Sequence, residues 1–398
     1  MSTPNNSGPL KGIRILDLTS VVLGPFSTQI LAELGADVIK VEPPAGDTMR
    51  HIGPMVNPGM GHIFLHANHG KRSIVLDLKK EADLEALFKL IETSDVLISN
   101  IRPAAMSRLG LGYEAVNSRN NRIVYVTCTG FGTEGPYAGR PAYDDLIQGV
   151  SGISRLIQLY NGAEPAYVPM TLSDRVTGLH AVYAVTTALY ARERSGVGQA
   201  VEVPMYEIMA QLVLGDHMAG LTFNPPLGGS GYPRLLTKNR RPYATKDGFL
   251  SVVIYQDKHW ASFFLAIGEQ DRYVSDHRFS NHESRTQHSD AIYGYVAEVM
   301  LTRKTAEWQE LLDAVDIPNM PIKSLEDLLD DEHLLHVKMI QKSEHPTEGS
   351  INTLRTPTRW SASVPSEPRP APELGQHTVE ILQEIGLSES QIYSITGN

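Results

Sequence analysis

The residue best placed to do covalent chemistry in this chain is Asp174, in the run Met170-Thr171-Leu172-Ser173-Asp174-Arg175-Val176-Thr177-Gly178. Apolar residues recur at helical spacing after it, through Val176, Leu179, Val182, Val185 and Leu189. Arg192-Glu193-Arg194, Gly196 and Gly198 follow. This pattern predicts a helix over 174–195 with a cationic end and glycine beyond it. A carboxylate at the start of such a helix meets unpaired backbone N–H groups and the positive end of the helix dipole, which favour its ionised form. An ionised carboxylate can attack a thioester carbonyl. It can equally serve the helix as an N-terminal residue or cap, and the local pattern alone leaves both open.

Other candidate groups carry less. His62, His66 and His69 lie close together, as do His333 and His336. No cysteine and no H-E-x-x-H accompanies them, so they read as solvated or hydrogen-bonded histidines, and no metal site is expected. The turn Thr19-Ser20-Val21-Val22-Leu23-Gly24-Pro25 lacks the G-x-G-x-x-G of a dinucleotide site, although Glu42 ends the following strand where an acid would hold a ribose. There is no Walker A sequence and no G-x-S-x-G elbow. With 398 residues, 41% hydrophobic and 20% charged, the chain is long enough for more than one domain. A net charge of -10 argues against a general nucleic-acid binder. The single cysteine, Cys128, fits a reducing compartment, with the cytoplasm as the default. No apolar run is long enough to span a membrane.

The elements that must position Asp174 read as alternating strands and helices. Strands are expected at 12–17, 36–42, 73–78, 95–100, 122–127 and 200–204. Helices are expected at 26–34, 81–92 and 174–195, and a last one at 378–385. That alternation implies an α/β fold with a Rossmann-like parallel sheet covered on both faces. The run Asn224-Pro225-Pro226-Leu227-Gly228-Gly229-Ser230-Gly231-Tyr232-Pro233-Arg234 marks a boundary or loop. The expected domains are therefore 1–223, with the catalytic aspartate, and a smaller α/β domain at 224–330, followed by a return segment at 331–398. Proline-rich residues 356–372 are expected to run extended over the surface.

The Met170–Gly178 motif, taken with other runs, resembles the type III CoA-transferases, the CaiB/BaiF family that includes formyl-CoA transferase. The matching runs are 9–25, 34–42, 68–78, 95–110, 140–152, 241–250 and 372–378, all in the family's order. The resemblance implies that Asp174 is the nucleophile. It would carry CoA from an acyl-CoA to a free carboxylic acid through an aspartyl anhydride and a β-aspartyl-CoA thioester. No tightly bound cofactor is implied, since the CoA thioester is the substrate. The resemblance places CoA against Val22, Leu23, Leu76, Lys79, Asn100, Ile101, Arg102, Arg108, Tyr143 and Asp144. Pro43 stands where formyl-CoA transferase has an arginine. Gly228, Gly229 and Gly231 are expected in an active-site loop whose backbone amides would face a developing oxyanion. An interlocked homodimer is implied, with no nucleic-acid or membrane partner. Arg234, Lys238, Arg240 and Arg241 would suit the second carboxylate of a dicarboxylate acceptor such as succinate. Two rival functions share the fold: an α-methylacyl-CoA racemase and a CoA-binding protein without turnover. The racemases have a histidine where this chain has Tyr143, a phenol poorly suited to act as a base at neutral pH.

Overall fold

Short, mostly apolar runs form strands in the computed structural model, which describes residues 7–397. In the first 204 residues these are β1 (Arg14–Leu18), β2 (Asp37–Glu42), β3 (Arg72–Val75), β4 (Val96–Ser99), β5 (Val124–Thr129) and β6 (Gln199–Pro204). All neighbours pair in parallel, in the order β3-β2-β1-β4-β5-β6. Parallel pairing requires long crossovers, and helices in those crossovers bury both faces of the sheet. This is why β4 is apolar almost without alternation and buried along its whole length. The strand order reverses between β1 and β4, so the loops leaving these two strands diverge and open a crevice at their carboxyl ends.

Alternate strand residues Leu16, Ile39, Ile74 and Leu97 point into one apolar cluster with Leu87, Leu90 and Ile91 of the Glu81–Glu92 helix. Two other helices, Leu23–Glu33 and Leu172–Ser195, pack against each other. Their separation is set by Gly178, where a Cβ would come within 2.9 Å of both the Leu23 carbonyl oxygen and the Phe26 ring. At the far end of the longer helix, Gly196 takes the left-handed conformation that closes it. Arg192, buried one turn earlier, reaches Asp95 at 2.9 Å and pins the helix beside the start of β4.

The chain's last segment returns to this sheet. Arg72, 2% exposed, bonds Asp37 of β2 and both Glu380 and Glu384 of the Thr378–Glu384 helix. The His377 N–H donates to the Ser73 carbonyl at 2.9 Å, and Ile381, Leu382 and Ile392 complete the apolar cluster. Before this helix comes an antiparallel hairpin, Ile340–His345 with Gly349–Leu354.

Two compact units result. The first takes the chain through Ser151, Val168–Gln211 and everything from Glu332; the second takes Gly152–Tyr167 and Leu212–Asp331. Residues 152–167 and 212–223, expected in the first piece, thus belong to the second unit. The reason for the earlier segment is local: the Ile153–Asn161 helix, bracketed by left-handed Gly152 and Gly162, sends the Tyr160 hydroxyl to the Arg240 carbonyl at 2.9 Å. The second unit has a small antiparallel sheet of β7 (Tyr243–Ala244), β8 (Phe249–Val252) and β9 (Asn319–Pro321). Its core is aromatic, with Trp260, Phe263, Phe264, Phe279 and Trp308 in mutual contact. No helix among the described residues is long and apolar enough to cross a membrane.

Arg72→Ala strips Glu380 of its cation and leaves Arg14 alone to hold Asp37 and Glu384 together. It is expected to cost about 3 kcal/mol in urea unfolding and to open the chain after Pro372 to protease. An unchanged midpoint would mean that apolar contacts alone dock this helix.

Candidate active site

The crevice at the carboxyl end of β1 is shaped by a turn that its own residues resist. Val21 sits at φ 70, in the left-handed region where a β-branched side chain is strained by roughly 1–3 kcal/mol. Surrounding bonds hold it there. The Val21 N–H donates to Asp47 Oδ1 at 3.2 Å, and Lys40 Nζ lies 2.9 Å from both Asp47 Oδ2 and the Thr19 carbonyl. From the other side, the Asn100 side-chain amide clasps Ser20, accepting its N–H at 3.0 Å and donating to its carbonyl at 2.8 Å.

Beneath the turn, Asp17 accepts from the Thr19 N–H, from Thr28 and from Lys71 Nζ, the last at 3.0 Å. Burial pushes the Asp17 carboxyl up, but Lys71 and Lys40 outweigh it and hold the group well below the usual carboxylate range. Burial pulls Lys71 down to about 8 against the attraction of Asp17. Lys40 meets the same burial penalty, yet Asp17 and Asp47 keep it above its ordinary value.

Asp174 approaches this crevice from the Leu172–Ser195 helix, whose N-cap residue Thr171 makes no side-chain capping bond. The cap comes instead from Asp144, in the first turn of the Asp144–Val150 helix, whose Oδ1 accepts the Asp174 N–H at 3.0 Å. Gln148 donates to Asp144 Oδ2 at 2.6 Å. The same amide accepts from the Val168 N–H and donates to the Met170 carbonyl, fixing the chain that leads into the helix. Asp174 is therefore not the cap. Among the described residues no donor reaches its carboxylate, which lines a cavity of about 260 Å³.

The ionisation expected of Asp174 needs correction. Burial and then the Asp144 charge push its pKa up to about 7, with Arg175 opposing. The helix end does supply an N–H, but Asp144 takes it, and the charge that caps the helix repels the neighbouring carboxylate.

Leu23, Asn100, Ile101, Arg102 and Tyr143 line the same cavity as Asp174, and Asp144 stands just behind it. Val22 is buried at the head of the Leu23–Glu33 helix and is not part of the wall. Leu76 is 1% exposed within the apolar cluster, so its side chain has no surface to offer a ligand as the structure stands. Lys79 is exposed beyond β3, and Arg108 is exposed at the far end of the Pro103–Arg108 helix; neither lines the cavity. The Asn100 amide is engaged with Ser20 and serves the turn first. Gly228, Gly229 and Gly231 lie in the second unit. There the Gly231 N–H donates to the His217 carbonyl at 2.8 Å and the Gly229 carbonyl accepts from Gly220, so Gly231 is not a free oxyanion donor.

Several wall residues escaped the sequence reading: Val21, Cys128, Gly130, Arg140 and Met205. Gly130 is required by close packing, since a Cβ there would lie 2.2 Å from that of Ala142. Burial pushes the Cys128 thiol up to about 12, so it is held protonated. The one visible signal was charge in the wrong place: Lys40 and Glu42 interrupt an otherwise apolar buried strand. Among the described residues, no group of three or more His, Cys, Asp or Glu side chains could hold a metal ion. His69 pairs with Glu33 at 2.7 Å and contacts Gln29.

Residues 10–378 match the sequence family described as CoA-transferase family III. The human succinyl-CoA:glutarate CoA-transferase is 30% identical over 390 residues, covering 96% of this chain and 87% of that protein. The succinate--glutarate CoA-transferase of Agrobacterium fabrum is 31% identical, covering 96% of this chain and 97% of its own. Among solved structures, a CaiB/BaiF family protein from Brucella suis superimposes with a TM-score of 0.78 at 29% identity, covering 95% of this chain and all of that one.

A raised Asp174 pKa carries a stability signature. Its contribution is fully present below the unfolded value of 3.8 and is lost as pH rises through about 7. Asp174→Asn should therefore melt higher than the wild type at pH 8 and much closer to it at pH 5, with the gap opening between. Melting curves that run parallel across this range would refute the burial argument.

Proposed function

The chain belongs to CoA-transferase family III, and we propose that it passes CoA from an acyl-CoA to a free carboxylic acid with Asp174 as the covalent relay. The observation that carries this reading is a buried carboxylate without a hydrogen-bond donor, lining a cavity at the reversal point of a parallel sheet. Water and donors stabilise a carboxylate and blunt its nucleophilicity; Asp174 has little of either, and with a pKa of about 7 it is substantially ionised at neutral pH.

The chemistry balances without an external energy source. The Asp174 carboxylate attacks the acyl-CoA carbonyl, forming an aspartyl anhydride and expelling the CoA thiolate. The thiolate attacks the aspartyl carbonyl, releasing the donor acid and leaving a β-aspartyl-CoA thioester. The acceptor carboxylate attacks that thioester to give a second anhydride and the thiolate again. The thiolate then takes the new acyl group and restores the Asp174 carboxylate. Each step exchanges one activated acyl bond for another, so no tightly bound cofactor is needed.

We assign the pantetheine end to the wall formed by Leu23 and Ile101, and the phosphates to the edge bearing Arg102 and Arg140, with Arg108 one short helix further. The human and Agrobacterium relatives, both named for exchange between succinate and glutarate, favour dicarboxylic acids as substrates here. A homodimer fits the Leu172–Ser195 helix, which exposes Leu179, Tyr183 and Tyr190 along one stripe. We expect the interlocked form and a cytoplasmic location. A racemase would need a second acid–base group opposite Asp174. Beside the aspartate, the cavity wall offers the Tyr143 phenol and a Cys128 thiol that burial holds protonated, which favours transfer.

With succinyl-CoA and a panel of dicarboxylic acids, the wild type should form new acyl-CoA thioesters, and hydroxylamine should inhibit it by trapping the activated aspartate. Asp174→Ala should lower the rate by about four orders of magnitude. The wild-type kcat/KM should rise with pH through about 7 and then level off, as Asp174 ionises. Transfer surviving in Asp174→Ala would remove Asp174 from the mechanism. Deuterium uptake at the α-carbon of a 2-methylacyl-CoA, without transfer, would establish a racemase.

A further inference from the structure

In the second unit, the residues before β7 bring three arginines to one cavity. Arg240-Arg241-Pro242 leads into β7, and Arg234 lies in the short Pro233–Leu236 helix upstream. The chain between them is fixed: Thr237 and Asn239 both donate to the Asp290 carboxylate, and the Arg240 carbonyl accepts the Tyr160 hydroxyl. The cavity, about 250 Å³, is walled by Arg234, Arg240, Arg241, Tyr243, Ser251 and Tyr293 with apolar residues at the end of β8 and just beyond it, and no acidic side chain lines it. Lys238, grouped with these arginines on sequence grounds, is exposed and outside the wall.

The wall is prepared rather than merely cationic. Arg234 is immobilised, its Nε donating to the Tyr293 hydroxyl at 2.9 Å and its guanidinium lying 5.0 Å from the centre of the Tyr255 ring. Its two terminal amino groups remain as donors. Tyr243 is 5% exposed, and its hydroxyl has no hydrogen-bond partner among the described residues. Burial keeps that phenol protonated, with Arg234 and Arg240 close enough to oppose the shift. Among the described residues no carboxylate pairs with Arg234, Arg240 or Arg241, in a chain whose net charge is -10. Arg240 and Arg241 are exposed and solvent screens their mutual repulsion, but neither is spent on an acid of the protein, and an anion seated against Arg234 would gain charge-assisted bonds from all three.

We propose that this cavity binds a small oxyanion of the carboxylate or phosphate class, gripped by the Arg240 and Arg241 guanidiniums and by the Tyr243 hydroxyl. The site is read by binding rather than turnover, so it stands or falls independently of the transfer reaction. Isothermal titration of the full chain with succinate, and separately with inorganic phosphate, tests it. At least one should bind the wild type and the Asp174→Asn variant alike. The paired variant Arg240→Gln/Arg241→Gln should weaken that ligand roughly tenfold or more, as expected for losing charge-assisted bonds. Tyr243→Phe should weaken it severalfold, with an unfolding midpoint that shows the core intact. Succinate binding alone assigns a carboxylate site, and phosphate binding alone a phosphate site. If neither ligand binds the wild type up to about 10 mM, or the paired variant binds as the wild type does, the arginines are solvated surface and the proposal fails.

Discussion

Lys40 stands inside a buried parallel strand with its ammonium group 2.9 Å from the Thr19 carbonyl and 2.9 Å from the Asp47 carboxylate. Neither side chain of that pair is more than 1% exposed. An ion pair buried this deeply is held because each charge would be intolerable without the other, and removing one partner typically costs about 3–5 kcal/mol. Its second effect is geometric. The other oxygen of Asp47 receives the Val21 N–H and keeps that residue in the left-handed conformation. Once Val21 is fixed, the Leu23–Glu33 helix has its starting direction, and Gly178 lets the Leu172–Ser195 helix approach it closely. The position of Asp174 follows from that contact. Asp17 and Lys71 repeat the arrangement one layer down, and Glu42 with Arg50 closes it on the other side, at 2.7 Å.

The same economy of charge recurs at Asp174 with the opposite outcome. Below the turn Asp17, Glu42 and Asp47 each face a cation, and those cations hold the Asp17 and Glu42 carboxyls below the ordinary range despite burial. Asp174 has burial and the Asp144 carboxylate but no cation strong enough to offset them, and its proton is held up to about 7. Asp144 stabilises the helix start by accepting the Asp174 N–H while making the neighbouring carboxylate harder to ionise. Local stability and the readiness of Asp174 to become an acyl carrier are thus set by one residue, and they pull in opposite directions.

Much of the fold was legible from pattern. The expected strands fall within a few residues of β1 to β6, the 81–92 helix matches, and the 174–195 helix begins two residues earlier than read. Apolar runs broken by turn residues are a local signal, and these elements obey it. The left-handed Val21 was not legible, because no local preference puts valine there; Lys40 and Asp47, far along the chain, impose it. Nor could Asn100 be seen as a clamp on Ser20, since that contact joins residues 80 apart. Leu76, Lys79 and Arg108 were placed by resemblance to the family, and packing puts the first in the core and the others outside the cavity wall. The unit boundary was missed at Gly152–Tyr167 because a nine-residue helix between two glycines looks the same in either unit.

The central claim is that Asp174 itself becomes acylated, and oxygen transfer tests it most directly. The wild type would be cycled with succinyl-CoA and an acceptor acid labelled with heavy oxygen in its carboxylate, then digested and the peptide containing Asp174 weighed. In the second anhydride the bridging oxygen comes from the acceptor, and thiolate attack leaves it on the aspartate. The account therefore predicts heavy oxygen in the Asp174 side chain, and in the released donor acid after further turnovers. New acyl-CoA formed with no label in Asp174, or with label in another residue, would contradict it.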